Sequence, residues 1–262
     1  NTDPQKTAFT ISVDAHQRFG VTTGISSQDR ATTIRVLAEN GYPVLVPKGQ
    51  VCCGALHGHS GDRQTARELA RKNIDVFINS GADYVITNSA GCGSMMKEYG
   101  ELLVNDQEYQ EKAHHLSSKV RDITEFLTEN GFRSPSAPLK EEEELPVTYH
   151  EACHLAHGQK IRNPPREILR SIPGVRICEL AESEWCCGSA GIYNLTQPEM
   201  AKRLLRRKIE HIEETGASIV ATGNPGCIIQ IESGLREGGV EVVHPIELLA
   251  RAYGQEVGNR ST

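Results

Sequence analysis

Eight cysteines are the residues of this sequence best suited to do chemistry. Two adjacent pairs, Cys52–Cys53 and Cys186–Cys187, are each followed by glycine. An even number of cysteines could form disulfides, but adjacent cysteines bridge to each other only with strain, and a chain of 262 residues does not depend on such crosslinks. The pattern therefore favours thiolate ligands of a metal over a disulfide scaffold. The other four cysteines are Cys92, Cys153, Cys178 and Cys227.

The two Cys-Cys-Gly motifs belong to an internal repeat. In the first copy 38 residues separate Cys53 from Cys92, and in the second 39 separate Cys187 from Cys227. Each copy has a β-branched run, the Cys-Cys-Gly loop, a charged stretch with helical spacing, a second β-branched run and a Gly-Cys turn. Strands that alternate with helices of this length indicate βαβ units and a mainly parallel sheet. The sequence therefore predicts an α/β protein of two related half-domains with a pseudo-symmetric repeat.

The boundary between the halves is predicted where the composition changes. Residues 135–146 contain three prolines and a run of four glutamates, which is typical of a solvated linker. We therefore expect a first cysteine-rich half-domain over residues 1–134 and a second over residues 147–262.

The second half places four cysteines after consecutive predicted strands. Cys153, the Cys186–Cys187 pair and Cys227 each follow a short β-branched run. Turns after successive parallel strands gather at one edge of the sheet, so the four thiols are expected to converge. Thiolates suit iron–sulfur clusters and zinc, and four of them fit a [4Fe–4S] cluster and a tetrahedral zinc equally well. Cys178 lies inside a predicted strand and is interpreted as a packing residue.

The first half is not equivalent, because it offers only three candidate thiols. Ser12 is the expected occupant of the position that matches Cys153, and a hydroxyl is a poor substitute for a thiolate because its proton is far harder to remove. The pattern predicts a second, degenerate metal site that is weak, recruits another ligand or holds no metal. His57 and His59 lie in the same loop and are candidates for that ligand. The three thiols are Cys52, Cys53 and Cys92.

The composition argues against several other classes of function. The formal net charge is −6 and no basic patch is present, so nucleic acid is not an expected partner. No apolar run reaches the ~18–20 residues of a membrane-spanning helix, and we expect a cytoplasmic protein that meets the inner membrane only through partners. No P-loop or dinucleotide-binding glycine motif is present. The chain begins at Asn1, and we expect that its start was processed or cut from a longer protein.

Five long motifs carry a resemblance that covers nearly the whole chain. They are NGYPVLVPKGQVCCGALHGHSGD from Asn40, YHEACHLAHGQKIRNPPREILRSIPG from Tyr149, WCCGSAGIYNL from Trp185, TGNPGC from Thr222 and HPIELLARAY from His244. With these motifs the sequence resembles the iron–sulfur subunit of glycolate oxidase. The cysteine-rich half is similar more widely to the heterodisulfide reductase B subunit, the anaerobic glycerol-3-phosphate dehydrogenase C subunit and lactate-utilisation proteins.

The resemblance implies a [4Fe–4S] cluster and an electron-transfer role. A separate flavoprotein subunit would oxidise glycolate to glyoxylate, and this chain, without catalytic residues of its own, would pass the electrons toward a membrane quinone. The family's ferredoxin-like domain with CxxCxxC runs is not found in this sequence, and neither Gly-Cys turn carries the second cysteine of some relatives. The implied metal ligands are Cys153, Cys186, Cys187 and Cys227. The candidates for hydrogen bonds around them are His150, His154 and His157.

Two other functions remain open at this point. A zinc-stabilised module could dock a flavoprotein without any redox chemistry, and it would be colourless. Thiol–disulfide chemistry of the heterodisulfide reductase kind would require an accessible cysteine of low pKa, which would react with an alkylating agent at neutral pH. Iron with acid-labile sulfide and a brown colour distinguishes the electron-transfer function from both.

Overall fold

Two compact units make up the chain, and each contains its own parallel sheet. The computed structural model describes residues 8–11, 27–140, 144–235 and 239–259. The units are Asn1–Gly131 and Phe132–Thr262. Within the described ranges, no helix combines the length and the apolar character needed to cross a membrane.

The first unit is built on four parallel strands. They are β1 (Ala8–Ile11), β2 (Val44–Leu45), β3 (Tyr84–Thr87) and β4 (Val120–Asp122). Their order across the sheet is β2-β1-β3-β4. The chain therefore adds strands first on one side of β1 and then on the other, which creates a switch point where loops converge.

Seven α-helices accompany this sheet among the described residues. They are α1 (Ser27–Glu39), α2 (Ala55–His59), α3 (Arg63–Asn79), α4 (Ala90–Lys97), α5 (Tyr99–Leu102), α6 (Gln110–Lys119) and α7 (Ile123–Asn130). Helix α3 begins where Asp62 accepts a hydrogen bond from the backbone N–H of Thr65. It buries Ala66, Ala70 and Ile74, which recur every four residues and so lie on one face of the helix.

The second unit repeats the strand order of the first. Its strands are β5 (Leu145–Tyr149), β6 (Val175–Cys178), β7 (Ile219–Ala221) and β8 (Glu241–Val243). All pairs are parallel, and the order is β6-β5-β7-β8. The predicted α/β class, with two related halves and parallel sheets, is confirmed.

The helices of the second unit begin at prolines more often than those of the first. After a π-helical turn at His154–Gly158 come α8 (Asn163–Arg170), α9 (Tyr193–Thr196), α10 (Pro198–Glu214), α11 (Pro225–Gly234) and α12 (Pro245–Asn259). Proline fits the first helical turn because its missing N–H would have no partner inside the helix there. These prolines therefore fix where the loops end and the helices start.

Two parts of this organisation differ from the sequence prediction. The linker predicted over residues 135–146 includes Leu145 and Pro146, but these two residues form the start of β5. The strand extends to them because they pair with Val175 and Arg176 of β6. Strand β4 was not predicted, since Arg121 and Asp122 interrupt the apolar alternation that identifies strands.

The pairing of strands within each sheet shows which residues of the two units correspond to each other. Thr10 pairs with Ile86 in the first sheet, and Tyr149 pairs with Ala221 in the second. Ile86 and Ala221 each lie six residues before the cysteine of the Gly-Cys turn. Thr10 is therefore the counterpart of Tyr149.

The same register gives a different counterpart for Cys153 from the one expected. Cys153 lies four residues after Tyr149, and the residue four positions after Thr10 is Asp14, two beyond Ser12. Ser12 and Asp14 both lie outside the described residues. With either residue at this position, the first unit has no cysteine that corresponds to Cys153.

A buried histidine caps the last helix. His244 Nδ1 accepts a hydrogen bond from the backbone N–H of Ile246 at 3.1 Å, and Glu247 accepts one from the His244 backbone N–H at 3.0 Å. Burial lowers the pKa of His244 to about 4. The ring is therefore neutral at neutral pH, with its proton on Nε2.

We expect the free energy of unfolding to decrease as the pH falls from about 7 to about 4. The pKa of folded His244 lies below the ~6.5 of an unfolded histidine, so the unfolded state binds more protons between these values. The loss should reach about 3 kcal/mol. It should be much smaller in His244→Asn, because asparagine caps a helix without titrating in this range. Urea unfolding over this pH range compares the two proteins, and an equal loss in both would contradict the assignment.

Candidate metal centre

The four cysteines of the second unit meet at the carboxyl-terminal edge of its sheet. Cys153 precedes the π-helical turn after β5, the Cys186–Cys187 pair lies in the loop after β6, and Cys227 lies in the first turn of α11 after β7. Because β6, β5 and β7 are neighbours in the sheet, these three segments leave it side by side. The convergence that the sequence predicted is thus what the strand order produces.

The four thiols form a continuous series of contacts. Cys153 interacts with Cys186, Cys186 with Cys187, and Cys187 with Cys227. Cys187 and Cys227 are buried, whereas Cys153 and Cys186 are half-buried. One end of the series is therefore enclosed by protein and the other lies nearer to solvent.

Hydrogen-bond donors point at two of the sulfurs. The Gly188 backbone N–H lies 3.3 Å from Cys186 Sγ, and Asn224 Nδ2 lies 3.5 Å from Cys227 Sγ. Cys227 also lies in the first turn of α11, where the helix dipole favours negative charge. Such donors stabilise sulfur in its anionic form, which is the form that binds metals.

The direction of the pKa shift alternates along the series of four thiols. Contacts with Cys153 and Cys187 lower the pKa of Cys186 to about 2, and the contact with Cys187 lowers the pKa of Cys227 well below its usual value. Their partners respond in the opposite direction, because hydrogen bonds with neighbouring thiolates raise the pKa of Cys153 and of Cys187. The contacts along the series thus favour the thiolate form of Cys186 and Cys227. Thiols that bind a metal release their protons.

A glycine allows the Cys-Cys-Gly loop to pack against α10. Gly188 has a φ of +94°, and a Cβ atom there would lie 2.5 Å from the backbone oxygen of Ala201. The first unit repeats this arrangement at Gly54, whose φ is +86° and where a Cβ atom would lie 3.2 Å from Ala66 Cα. The glycine of the motif is therefore required both by its backbone conformation and by the close helix.

Lys208 is a buried cation beside this loop. It lies outside the cysteine motifs, so those motifs give no indication of a functional role for it. Its side chain is 1% exposed, and Nζ donates hydrogen bonds to the backbone oxygens of Glu182 at 2.5 Å and Ser183 at 3.4 Å. Burial lowers its pKa to about 8, while the nearby Cys187 and Glu182 act in the opposite direction. The signal in the sequence was a lysine at a position of α10 where the helical spacing calls for an apolar residue.

The three histidines near Cys153 have different surroundings. His154 Nδ1 lies 3.8 Å from Cys153 Sγ. His157 is exposed and faces Arg162 and Glu184, so it points into a surface network of charges and away from the thiols. His150 is 1% exposed, and one of its ring nitrogens lies within 4.8 Å of the sulfurs of Cys187 and Cys227. In the described part of the chain, this is the one group of three or more potential ligand atoms that lie so close to one another.

The three cysteines of the first unit also lie together. Cys53 interacts with Cys52 and Cys92, and these two contacts, together with burial, raise its pKa. The contact between Cys53 and Cys92 lowers the pKa of Cys92. The Gly54 backbone N–H lies 3.5 Å from Cys52 Sγ, as in the second unit. Nδ1 of His57, one of the two proposed extra ligands, lies 3.2 Å from Oδ2 of Asp62. Its partner is thus a carboxylate near the start of α3.

Cys178 belongs to a strand, whereas the other second-unit thiols lie on the segments that follow the strands. It ends β6, is buried, and its Sγ is 3.1 Å from Arg176 Nη1. Its position inside a strand is that of the packing residue expected from the sequence.

Comparison with known proteins gives matches over most of the chain. The family profile described as "Cysteine-rich domain" (CCG) matches residues 17–97 and 147–232. The "Probable glycolate oxidase iron-sulfur subunit" of Bacillus subtilis (strain 168) is 39% identical over 86% of this chain and 51% of its own length. The "Glycolate oxidase iron-sulfur subunit" of Escherichia coli (strain K12) is 32% identical over 88% of this chain and 56% of its own length. "Lactate utilization protein A" of Shouchella clausii (strain KSM-K16) is 31% identical over 83% of this chain and 90% of its own length. The chain thus spans about half of the first two proteins and most of the third.

Proposed function

This chain belongs to the cysteine-rich (CCG) domain family, and we propose that it is an iron–sulfur electron-transfer subunit of a system that oxidises a 2-hydroxyacid. The observation that carries the proposal is the contiguous series Cys153, Cys186, Cys187 and Cys227 at one edge of the second sheet. Four soft ligands, two of them with N–H groups directed at their sulfurs, fit an iron–sulfur cluster. We further propose that the cluster is of the [4Fe–4S] type.

The residues of the second unit are suited to hold such a group and to tune it. Cys187 and Cys227 would bind its buried side, and Cys153 and Cys186 its more accessible side. A bound cluster would accept and release one electron at a time. The half-buried thiols would leave that side within reach of a partner, while the buried ones exclude water from the other side.

Substrate oxidation itself is assigned to a partner. Two of the similar proteins are named as iron–sulfur subunits of glycolate oxidase, which supports a flavoprotein partner that takes two electrons from glycolate and releases glyoxylate and protons. This chain would then receive those electrons singly and pass them to an acceptor such as a membrane quinone. The similarity to a lactate utilization protein supports the broader substrate class of 2-hydroxyacids.

A reductive titration tests this function. The chain, purified without oxygen, should absorb broadly in the visible range, and the absorbance should decrease on reduction and return on oxidation. A colourless protein that neither takes up nor releases electrons would contradict the proposal. That result would favour a zinc-stabilised docking module, for which the same four thiols would suffice.

Replacing Lys208 with methionine should lower the reduction potential of the centre. Removing a buried positive charge disfavours the more negative, reduced state, and the shift is expected to be on the order of tens of millivolts. Lys202→Met is the matched control, because Lys202 lies on the same helix with an exposed side chain that pairs with Glu199. A potentiometric titration followed by visible absorbance would measure both. Equal potentials in the wild type and Lys208→Met would contradict an electrostatic role for Lys208.

A further inference from the structure

His150 stands at the point where β5 ends and the metal-binding segment begins. Its backbone N–H donates a hydrogen bond to the backbone oxygen of Ala221 at 2.9 Å, which ties it to β7 just before the turn that carries Cys227. The side chain is almost completely buried. Its position is therefore set by the sheet, and not by a loop that could place it elsewhere.

The imidazole of His150 is buried, and among the described residues neither Nδ1 nor Nε2 makes a hydrogen bond of good geometry. Its ring does interact with the thiol of Cys227, one of the candidate metal ligands. Leaving a buried polar group unpaired is unfavourable, and native structures rarely retain such a group without a reason. His244 is partly satisfied, because its Nδ1 accepts a hydrogen bond from the backbone of α12 while its Nε2 has no partner among the described residues. In His150 neither ring nitrogen has such a backbone hydrogen bond.

Two potential metal ligands lie close to the ring of His150. A ring nitrogen of His150 and the sulfurs of Cys187 and Cys227 all lie within 4.8 Å of one another, and all three side chains are buried. Nitrogen of a neutral imidazole binds both iron and zinc. Atoms this close together, on segments that follow three neighbouring strands, can share one metal centre.

We propose that His150 is itself a ligand of the metal centre, which is thus held by thiolates and one imidazole. This inference rests on the proposed function and deepens it, because it changes the ligand set and with it the electronic properties of the centre. A [4Fe–4S] cluster offers one ligand position at each of its four irons, so the imidazole would take one of these positions from one of the four thiolates. A neutral imidazole in place of an anionic thiolate stabilises the reduced state, so the reduction potential is higher than with thiolates alone. The first unit has Ile11 at the matching register position, so this ligand is specific to the second unit.

Pulsed electron paramagnetic resonance on the whole chain tests the proposal. Protein purified without oxygen and reduced would be prepared with natural-abundance histidine and with ¹⁵N-histidine. We expect a strong nitrogen hyperfine coupling that changes with the isotope. The coupling should be lost in His150→Gln and retained in His244→Asn, a matched variant of another buried histidine at the same edge of the sheet. The isotope comparison uses the wild-type protein, so it remains valid even if His150→Gln does not fold.

The outcomes separate this inference from the proposed function. Iron and sulfide with no isotope-sensitive coupling, or with only a weak coupling of the kind a hydrogen bond gives, would overturn the ligand role of His150 and leave the electron-transfer proposal intact. If the protein holds zinc, the electron-transfer proposal fails. X-ray absorption at the zinc edge would then test His150 by itself. A nitrogen neighbour at about 2.0–2.1 Å supports its role, and sulfur neighbours alone overturn it.

Discussion

Cys187→Ser is expected to remove the metal centre of the second unit. Cys187 is the inner member of the cysteine pair, is 2% exposed, and contacts the thiols of both Cys186 and Cys227. A serine hydroxyl does not ionise near neutral pH, so the substitution removes a thiolate from the middle of the series. Iron and sulfide bound per chain should fall at least about tenfold, since even residues that only support metal ligands change affinity by 10–100-fold. Elemental analysis of anaerobic protein measures the change.

Cys53→Ser is the matched control in the first unit. Cys53 occupies the same position in its Cys-Cys-Gly motif and is also buried. The first unit has only the three thiols of Cys52, Cys53 and Cys92 in its candidate site, without a cysteine that corresponds to Cys153. Because Cys53 is not one of the four proposed ligands, this variant should retain the metal of the second unit. If Cys187→Ser keeps its iron while Cys53→Ser loses it, the centre lies in the first unit and our assignment is wrong.

Gly188→Ala is expected to disrupt the centre without touching a ligand. The added Cβ would lie 2.5 Å from a backbone oxygen of α10, which cannot rotate away as a side chain could. The positive φ adds its own strain. Together these effects should decrease the free energy of unfolding by about 2–5 kcal/mol and displace the two cysteines before the glycine. Urea unfolding and metal content, measured on the same preparation, record both consequences.

Two other glycines separate the contributions to this effect. Gly216 has a φ of +62° with no atom within 4 Å of an added Cβ, so Gly216→Ala should cost only the backbone term of about 1–2 kcal/mol and keep the metal. Gly54→Ala meets its nearest neighbour at 3.2 Å, in the first unit, and should also leave the second centre intact. Metal loss equal in Gly188→Ala and Gly216→Ala would mean that the contact with α10 is not the cause.

The site could be predicted because its position follows from topology. Cys153, Cys186 and Cys227 are far apart in sequence, but each follows a strand, and parallel strands bring such positions to one edge. The repeated spacing of the two motifs likewise predicted two related halves, and the structure adds that their two sheets have the same strand order. Motif spacing and the alternation of strands and helices can thus predict which loops converge before any side-chain contact is known.

Properties that depend on burial could not be read from the sequence. His150 looks like one of several polar residues near Cys153, and only the packed structure distinguishes its buried ring from the exposed His157. Lys208 was visible only as a charged residue on the apolar face of a helix, and its hydrogen bonds to the loop depend on tertiary contacts. Strand β4 was not predicted because Arg121 and Asp122 are charged residues that interrupt the apolar pattern of a strand. Asp122 has a separate role, since its side chain caps α7.

The most direct test of our central claim is the content of iron, acid-labile sulfide and zinc in the wild-type chain purified without oxygen. A single cluster of the proposed type predicts about four iron and about four sulfide per chain, with little zinc. About one zinc per chain, without iron or sulfide, would contradict the claim that the thiols of the second unit hold an iron–sulfur cluster.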